Sequence, residues 1–227
     1  MQHRRGLAAS PGVCHILKWE PPVADDRDVP NWYTEAPRAI SRWCYRHCVA
    51  GDFELTADEL REVARYVAES AGDVLCHFER VMPDDDRARA AIEAAWEFIN
   101  GAPRSRLQRV TAMNAHRAAR AAPTESARLA AQAAGDAAAA AYLHPIAQDH
   151  QVGHILRAAA NAARIAEIEA ADDPDVGARF IDQARDGATP TLIAVLRRYP
   201  VARTGKSRSA QLMSALDASL RVRGCRP

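Results

Sequence analysis

The chain has 227 residues, 48% hydrophobic and 26% charged, with a formal net charge of +1, which is ordinary for a folded chain that buries a sizeable core and excludes an intrinsically disordered one. No run of 18 apolar residues occurs, so no helix long enough to span a membrane is expected. Of 30 basic residues only Lys18 and Lys206 are lysine. Arginine suits bidentate phosphate contacts, but scarce lysine beside abundant alanine is what a G+C-rich genome produces. With near-zero net charge and no helix expected to carry a dense basic stripe, nucleic-acid binding draws no support.

Five cysteines (Cys14, Cys44, Cys48, Cys76, Cys225) are an odd number in a chain of this size, which argues against a disulfide framework and suits a reducing compartment. Arg4 and Arg5 are not followed by an apolar segment of signal-peptide length. The chain therefore reads as cytoplasmic.

Residues 1–51 hold three of the four tryptophans, three of the five cysteines and a scatter of prolines, with no regular period before about Ala36. They read as an irregular arm with one short helix, Pro37 to Val49. The arm is either a docking appendage or sequence upstream of the start used in the cell.

A single all-helical domain is expected over 52–227. Thr56 and Glu59 form a capping box, and Leu60, Val63, Ala64, Val67, Ala71, Val74, Leu75 and Phe78 share one helical stripe, so a first helix is predicted from Thr56 to Pro83. Asp84 is placed to cap a second helix, with Asp85 and Asp86 in its first turn, where the helix dipole favours negative charge; it stops at Asn100-Gly101. A third runs from Ser105 to Pro123 and a fourth from Thr124 to about Leu143. Pro145 is expected at the first position of a fifth helix reaching Ala171. Asp173-Pro174, Thr189-Pro190 and Ser207 open three more.

Between Ala112 and Ala171, 25 of 60 residues are alanine. Alanine is the best helix former and the smallest apolar residue with a Cβ, so these central helices are expected to pack closely. The fold class is all-α: a multi-helix bundle of about seven to eight helices with alanine-rich central helices.

Three constellations carry candidate chemistry. His150 and His154, spaced i and i+4, share a helical face, with His144 before them and His116 on the third helix. Bundle metal sites are built from inward-facing residues of this kind, and zinc needs three or four converging ligands. His116, His150 and His154 are thus the candidate metal ligands, although the glutamate of His-Glu-x-x-His is missing because Gln151, Val152 and Gly153 intervene. The bland alternative makes His144 a cap, His150 a solvated side chain and His154 a hydrogen-bonded core residue. Cys44 and Cys48, with His47 and with Cys14-His15 upstream, form a second candidate zinc set whose alternative is a helix with buried cysteines. Asp84, Asp85 and Asp86 offer an acidic spot to a basic partner or a carboxylate pair for acid/base work, with capping as the plainer role. Isolated glycines and the absence of Gly-x-Ser-x-Gly leave no phosphate loop and no serine nucleophile in view.

The run Val81-Met82-Pro83-Asp84-Asp85-Asp86-Arg87, continuing through Ile92 to Trp96, then Ala115-His116-Arg117-Ala118-Ala119-Arg120, then an alanine-rich helix containing Gly135, resembles the all-helical putative immunity protein family of bacteria. Similar actinobacterial chains carry the Tyr142-Leu143-His144-Pro145 break, the Val152-Gly153-His154-Ile155-Leu156 stretch and a tail like Val195-Leu196-Arg197-Arg198-Tyr199-Pro200. The resemblance spans roughly Thr56 to Leu220. It implies an all-helical fold and a protein that neutralises or sequesters a protein partner. Some members bear an exonuclease label, but this chain shows no nuclease carboxylate constellation. It departs from better-known members at Asp136, where the resemblance leads one to expect histidine.

The favoured expectation is a non-enzymatic binding protein without a cofactor, acting through helix faces and the acidic Asp84–Asp86 start. The alternatives are a metal-dependent hydrolase using the histidines and a helical scaffold. The scaffold would form a homodimer through its small-residue faces, with Ala137–Ala141 packed closely against a neighbour either inside one chain or between two. A protein partner is expected; nucleic acid and membrane are not.

Overall fold

The structure of the protein, a computed structural model, describes residues 53–223. The predicted arm helix and the Cys14, His15, Cys44, His47 and Cys48 set lie outside the described residues. Within them are nine helices and no strand: α1 (Ala57–Gly72), α2 (Leu75–Glu79), α3 (Arg87–Ile99), α4 (Arg106–Ala121), α5 (Glu125–Ala140), α6 (Gln151–Glu169), α7 (Pro174–Gly187), α8 (Pro190–Leu196) and α9 (Arg208–Arg223). None is long and apolar enough to cross a membrane.

The alanine-rich helix α5 sits at the centre, packed against α1, α2, α3, α4 and α6. Ala127, Ala130, Ala131, Ala133, Ala134, Ala137, Ala138 and Ala140 are all fully buried. A helix that is apolar all round belongs in a core, and side chains this small let neighbouring backbones approach closely. The Ala137–Ala141 face is thus used inside the chain: four of its five residues are fully buried without any second copy. Helix α6 forms the second layer, packing on α7, α9 and α1, and α8 bridges α1 to α9.

The caps explain most boundaries. Thr56 with Glu59 makes the predicted capping box on α1, and Ser105 makes an unpredicted one with Gln108 on α4. Thr124, Asp173 and Thr189 each cap a following helix through the side chain. A turn with positive φ at Ala171 and Asp172 reverses the chain between α6 and α7.

Three boundaries differ from expectation. The first predicted helix is two, because the chain breaks at Gly72-Asp73, where glycine's low helix propensity ends α1; α2 still points Leu75 and Phe78 at the core. The second predicted helix begins at Arg87, so Asp84 does not cap it. Asp86 holds the cap position without a side-chain bond, and the Asp85 carboxylate accepts the Arg87 N–H at 3.2 Å. Pro145 does not open α6, which starts six residues later. The Pro145 carbonyl accepts from the Phe53 N–H at 3.1 Å instead, and the Gln151 side chain accepts from the His144 N–H at 3.1 Å. Cys76 in α2 is disulfide-bonded, which corrects the bridge-free reading of the cysteines at that position.

Candidate functional site

Asp136 is the one carboxylate on α5 beyond its first turn, and it is fully buried. A buried charge is stable only when paired, and Arg157 from α6 supplies the pair: its Nε and Nη2 donate to the two carboxylate oxygens at 2.7 and 2.5 Å. This is the bidentate geometry that guanidinium and carboxylate favour. Two imidazoles flank the pair. His116 on α4 brings Nε2 to 3.8 Å from Asp136 Oδ1, and His154 on α6 brings Nδ1 to 3.6 Å from the same oxygen. At 3.6 Å the His154 contact is electrostatic rather than a hydrogen bond, and that buried nitrogen has no hydrogen-bond partner. The cluster therefore ties α4, α5 and α6 together around one oxygen.

The electrostatics follow from the geometry. Burial pulls the Asp136 carboxyl upward, but the Arg157 charge and the contacts from His154 and His116 outweigh it and hold it below the usual carboxylate value. Burial pushes His116 below its ordinary 6.5; Asp136 opposes this, and the Arg157 and His154 charges reinforce it. His116 is therefore mainly neutral at pH 7. Both oxygens of the Asp136 carboxylate are already committed to Arg157.

Of the three predicted metal ligands, the structure brings His116 and His154 to a common carboxylate and leaves His150 apart. His150 is exposed at the N-terminal cap position of α6, where its Nε2 meets Gln151 Nε2 at 2.7 Å. Among the described residues no three His, Cys, Asp or Glu side chains are arranged to hold a metal ion. The His144 side chain is exposed and does not cap α6.

The Asp84–Asp86 loop, which joins α2 to α3, lines a shallow surface depression with Val81, Met82, Pro83 and Arg87. Asp84 and Asp86 are exposed and enter no ion pair among the described residues. Asp85 is turned inward onto Arg87 at 2.8 and 2.5 Å, and that hydrogen bonding holds its carboxyl below the usual range.

A feature the sequence reading missed is a groove of about 520 Å³ between α1, α6 and α7. Ala159, Ala162, Ile165 and Phe180 give it an apolar lining, and Glu69, Asp73 and Glu169 add carboxylates. His77 beside it is 4% exposed, its Nδ1 lying 3.5 Å from Glu169. Burial lowers the His77 value, against the pull of Glu169. Nothing in the local sequence announces this groove, since its walls come from helices about a hundred residues apart. The Asp136–Arg157 pair did have a signal: a lone carboxylate in an otherwise alanine-rich helix needs a partner.

A family model described as Imm-5 like putative immunity protein matches residues 54–185, from the residues just before α1 into the last turn of α7. No curated protein and no solved structure matches the chain. The match covers α1 to α6 and nearly all of α7, and with them the Asp136 cluster, the acidic loop and all but one of the residues lining the groove; the chain belongs to the Imm-5 like putative immunity protein family.

Proposed function

We propose that the protein is a non-enzymatic immunity protein that binds a toxic protein and neutralises it by covering the surface the toxin needs. The observation that carries this reading is membership of the immunity family over residues 54–185. The fold supports it. A bundle locked by a buried Asp136–Arg157 pair and capped helices presents rigid helix faces, and rigid faces lose little entropy on docking. In this reading the exposed Asp84 and Asp86 are candidate contacts for basic groups on the partner.

The test is co-expression with each candidate toxin that genes flanking this one prove to encode, followed by titration of the two purified proteins in a calorimeter. Restored growth and a complex of nanomolar Kd are expected. Growth arrest despite ample folded protein, with no heat of binding, would sink the reading.

A further inference from the structure

The outer face of α4 differs from the other helix surfaces among the described residues. Between Glu97 and Glu125 the sequence has five arginines and no carboxylate. Arg106, Arg109, Val110, Met113, Arg117 and Arg120 recur at helical spacing, so they form one stripe along α4, and all six are exposed. The opposite face of the helix buries Gln108, Thr111, Ala112, Ala115, Ala118 and Ala119. The expectation that no helix carries a basic stripe is corrected here.

Two features set this stripe apart from an ordinary solvated face. Elsewhere most arginines pair with acids, as Arg87 does with Asp85 and Arg208 with Glu167. Among the described residues Arg104, Arg106, Arg109, Arg117 and Arg120 have no carboxylate in ion-pair range. The stripe is also apolar: Val110 is 38% and Met113 53% exposed, with Leu107 beside them at 42%, and these are three of the five exposed large apolar side chains among the described residues. Arginine and methionine are the residue types that interface cores enrich. Tyr142 helps to set the arrangement. Its hydroxyl donates to the Ser105 carbonyl at 2.7 Å, and the Arg109 guanidinium lies 4.6 Å from its ring centre.

We propose that this face of α4 is the surface on which the protein docks an acidic protein partner, one presenting carboxylates around a small apolar patch. The proposal rests on the binding reading above and names the chemistry of the partner. Charge complementarity selects the acid. The apolar residues select a protein over a nucleic acid, because phosphates leave Val110 and Met113 nothing to bury against. A lipid surface fits poorly, since the continuous apolar face of α4 already faces the core.

Full-length protein carrying Arg109→Glu/Arg117→Glu, and separately Met113→Ala, is titrated against the toxin that the co-expression test identifies, with a 20-base-pair DNA duplex and vesicles of anionic phospholipid as parallel probes. Both changes lie at exposed positions, and thermal melts confirm folding. Expected is a loss of toxin affinity of about a hundredfold for the charge reversal and about tenfold for Met113→Ala, in line with central interface residues. Toxin binding unchanged in both variants overturns the inference and leaves the binding reading standing, most directly if Asp84→Asn/Asp86→Asn weakens it instead. DNA or vesicle binding at least as tight as toxin binding, lost on charge reversal but indifferent to Met113→Ala, also overturns it. A wild-type protein that does not bind the toxin overturns both readings.

Discussion

The imidazole of His116 stands directly over Gly135: a Cβ at that glycine would lie 2.7, 2.8 and 2.9 Å from the ring's Cε1, Nδ1 and Nε2. Glycine in mid-helix costs about 1 kcal/mol against alanine, so the position trades helix stability for the approach of His116 to Asp136. The His116 side chain is 30% exposed and has solvent to swing into. Gly135→Ala is therefore expected to change stability by only about 1 kcal/mol in either direction, since the propensity gain offsets the displaced ring. An NMR titration should show the His116 value moving back toward 6.5 as the ring leaves its buried place.

Gly177 makes the contrast. A Cβ there would fall 2.0 Å from Glu167 Oε1 and 2.6 Å from its Cδ. Glu167 is 1% exposed and held by Arg164 and Arg208, so it cannot move aside. Gly177→Ala is expected to cost about 1–3 kcal/mol of overpacking in a urea melt, despite its gain in propensity. Equal effects at Gly135 and Gly177 would mean that the His116 ring is held as firmly as Glu167.

Removing one member of a buried ion pair leaves the other uncompensated, which costs about 3–5 kcal/mol when both are fully buried. The Arg157 side chain is 32% exposed, so water relieves part of that cost, and Asp136→Asn is expected to lose about 2–3 kcal/mol. Asp136→Asn/Arg157→Met should recover most of the loss, because an apolar replacement removes the stranded charge. A single-variant cost below about 0.5 kcal/mol, the scale of neutral surface changes, would show that the pair does not hold the helices together.

Stability should fall as pH drops from about 7 toward 5, the range in which histidine ordinarily titrates. Burial lowers both His77 and His116 below 6.5 in the folded state, so across that window the unfolded chain takes up protons that the folded chain refuses. The unfolded state then binds more protons, and stability rises with pH until 6.5 is passed. His77→Gln and His116→Gln should each flatten this part of the curve. The depressed carboxyls of Glu59, Asp85 and Asp136 act lower down: their contribution is present above the ordinary carboxylate range and is lost as pH falls through their folded values. Two separate acid limbs in chemical melts against pH are therefore expected, and only the upper one should respond to the histidine variants.

The helices were legible because their signals are local. Thr56 with Glu59, Thr124, Asp173-Pro174 and Thr189-Pro190 mark starts by side chains that bond within one turn, and Asn100-Gly101 marks a stop. Expectation failed where a competing contact decides, from far along the chain at Pro145 and from within two residues at Asp84. Pro145 looks like a helix start until Phe53 takes its carbonyl, and Asp84 looks like a cap until Asp85 engages Arg87. His150 sits exposed at the cap of α6 and meets Gln151, while His154 lies beside Asp136. The arginine stripe on α4 lay in the sequence at helical spacing, but net charge, which sums over the whole chain, hid it. That Asp136 meets Arg157 needed the packing of α5 on α6, which spacing alone does not supply.

The last helix lies beyond the residues that the family model matches, and a buried pair within it fastens the connection that leads into it. Asp217 on α9 is fully buried; it accepts from the Arg221 Nε at 2.7 Å and from the Ala202 N–H at 3.0 Å. Burial raises its carboxyl against the opposing pull of Arg221. Arg221 also donates to the carbonyls of Leu196, Tyr199 and Pro200, so a single guanidinium fastens the α8–α9 connection to the helix that follows it. Asp217→Asn keeps the shape and an acceptor for Ala202, and should cost about 1–3 kcal/mol, as expected for a weakened hydrogen bond to a charged group. Arg221→Met strands a buried carboxylate and three carbonyls together, and about 3–5 kcal/mol is expected. If α9 folds as one unit with the core, both changes should shift the whole unfolding transition, and amide exchange should quicken in the core helices as well as in residues 196–202. Faster exchange confined to α9 and that connection would instead make the last helix a separately melting appendage.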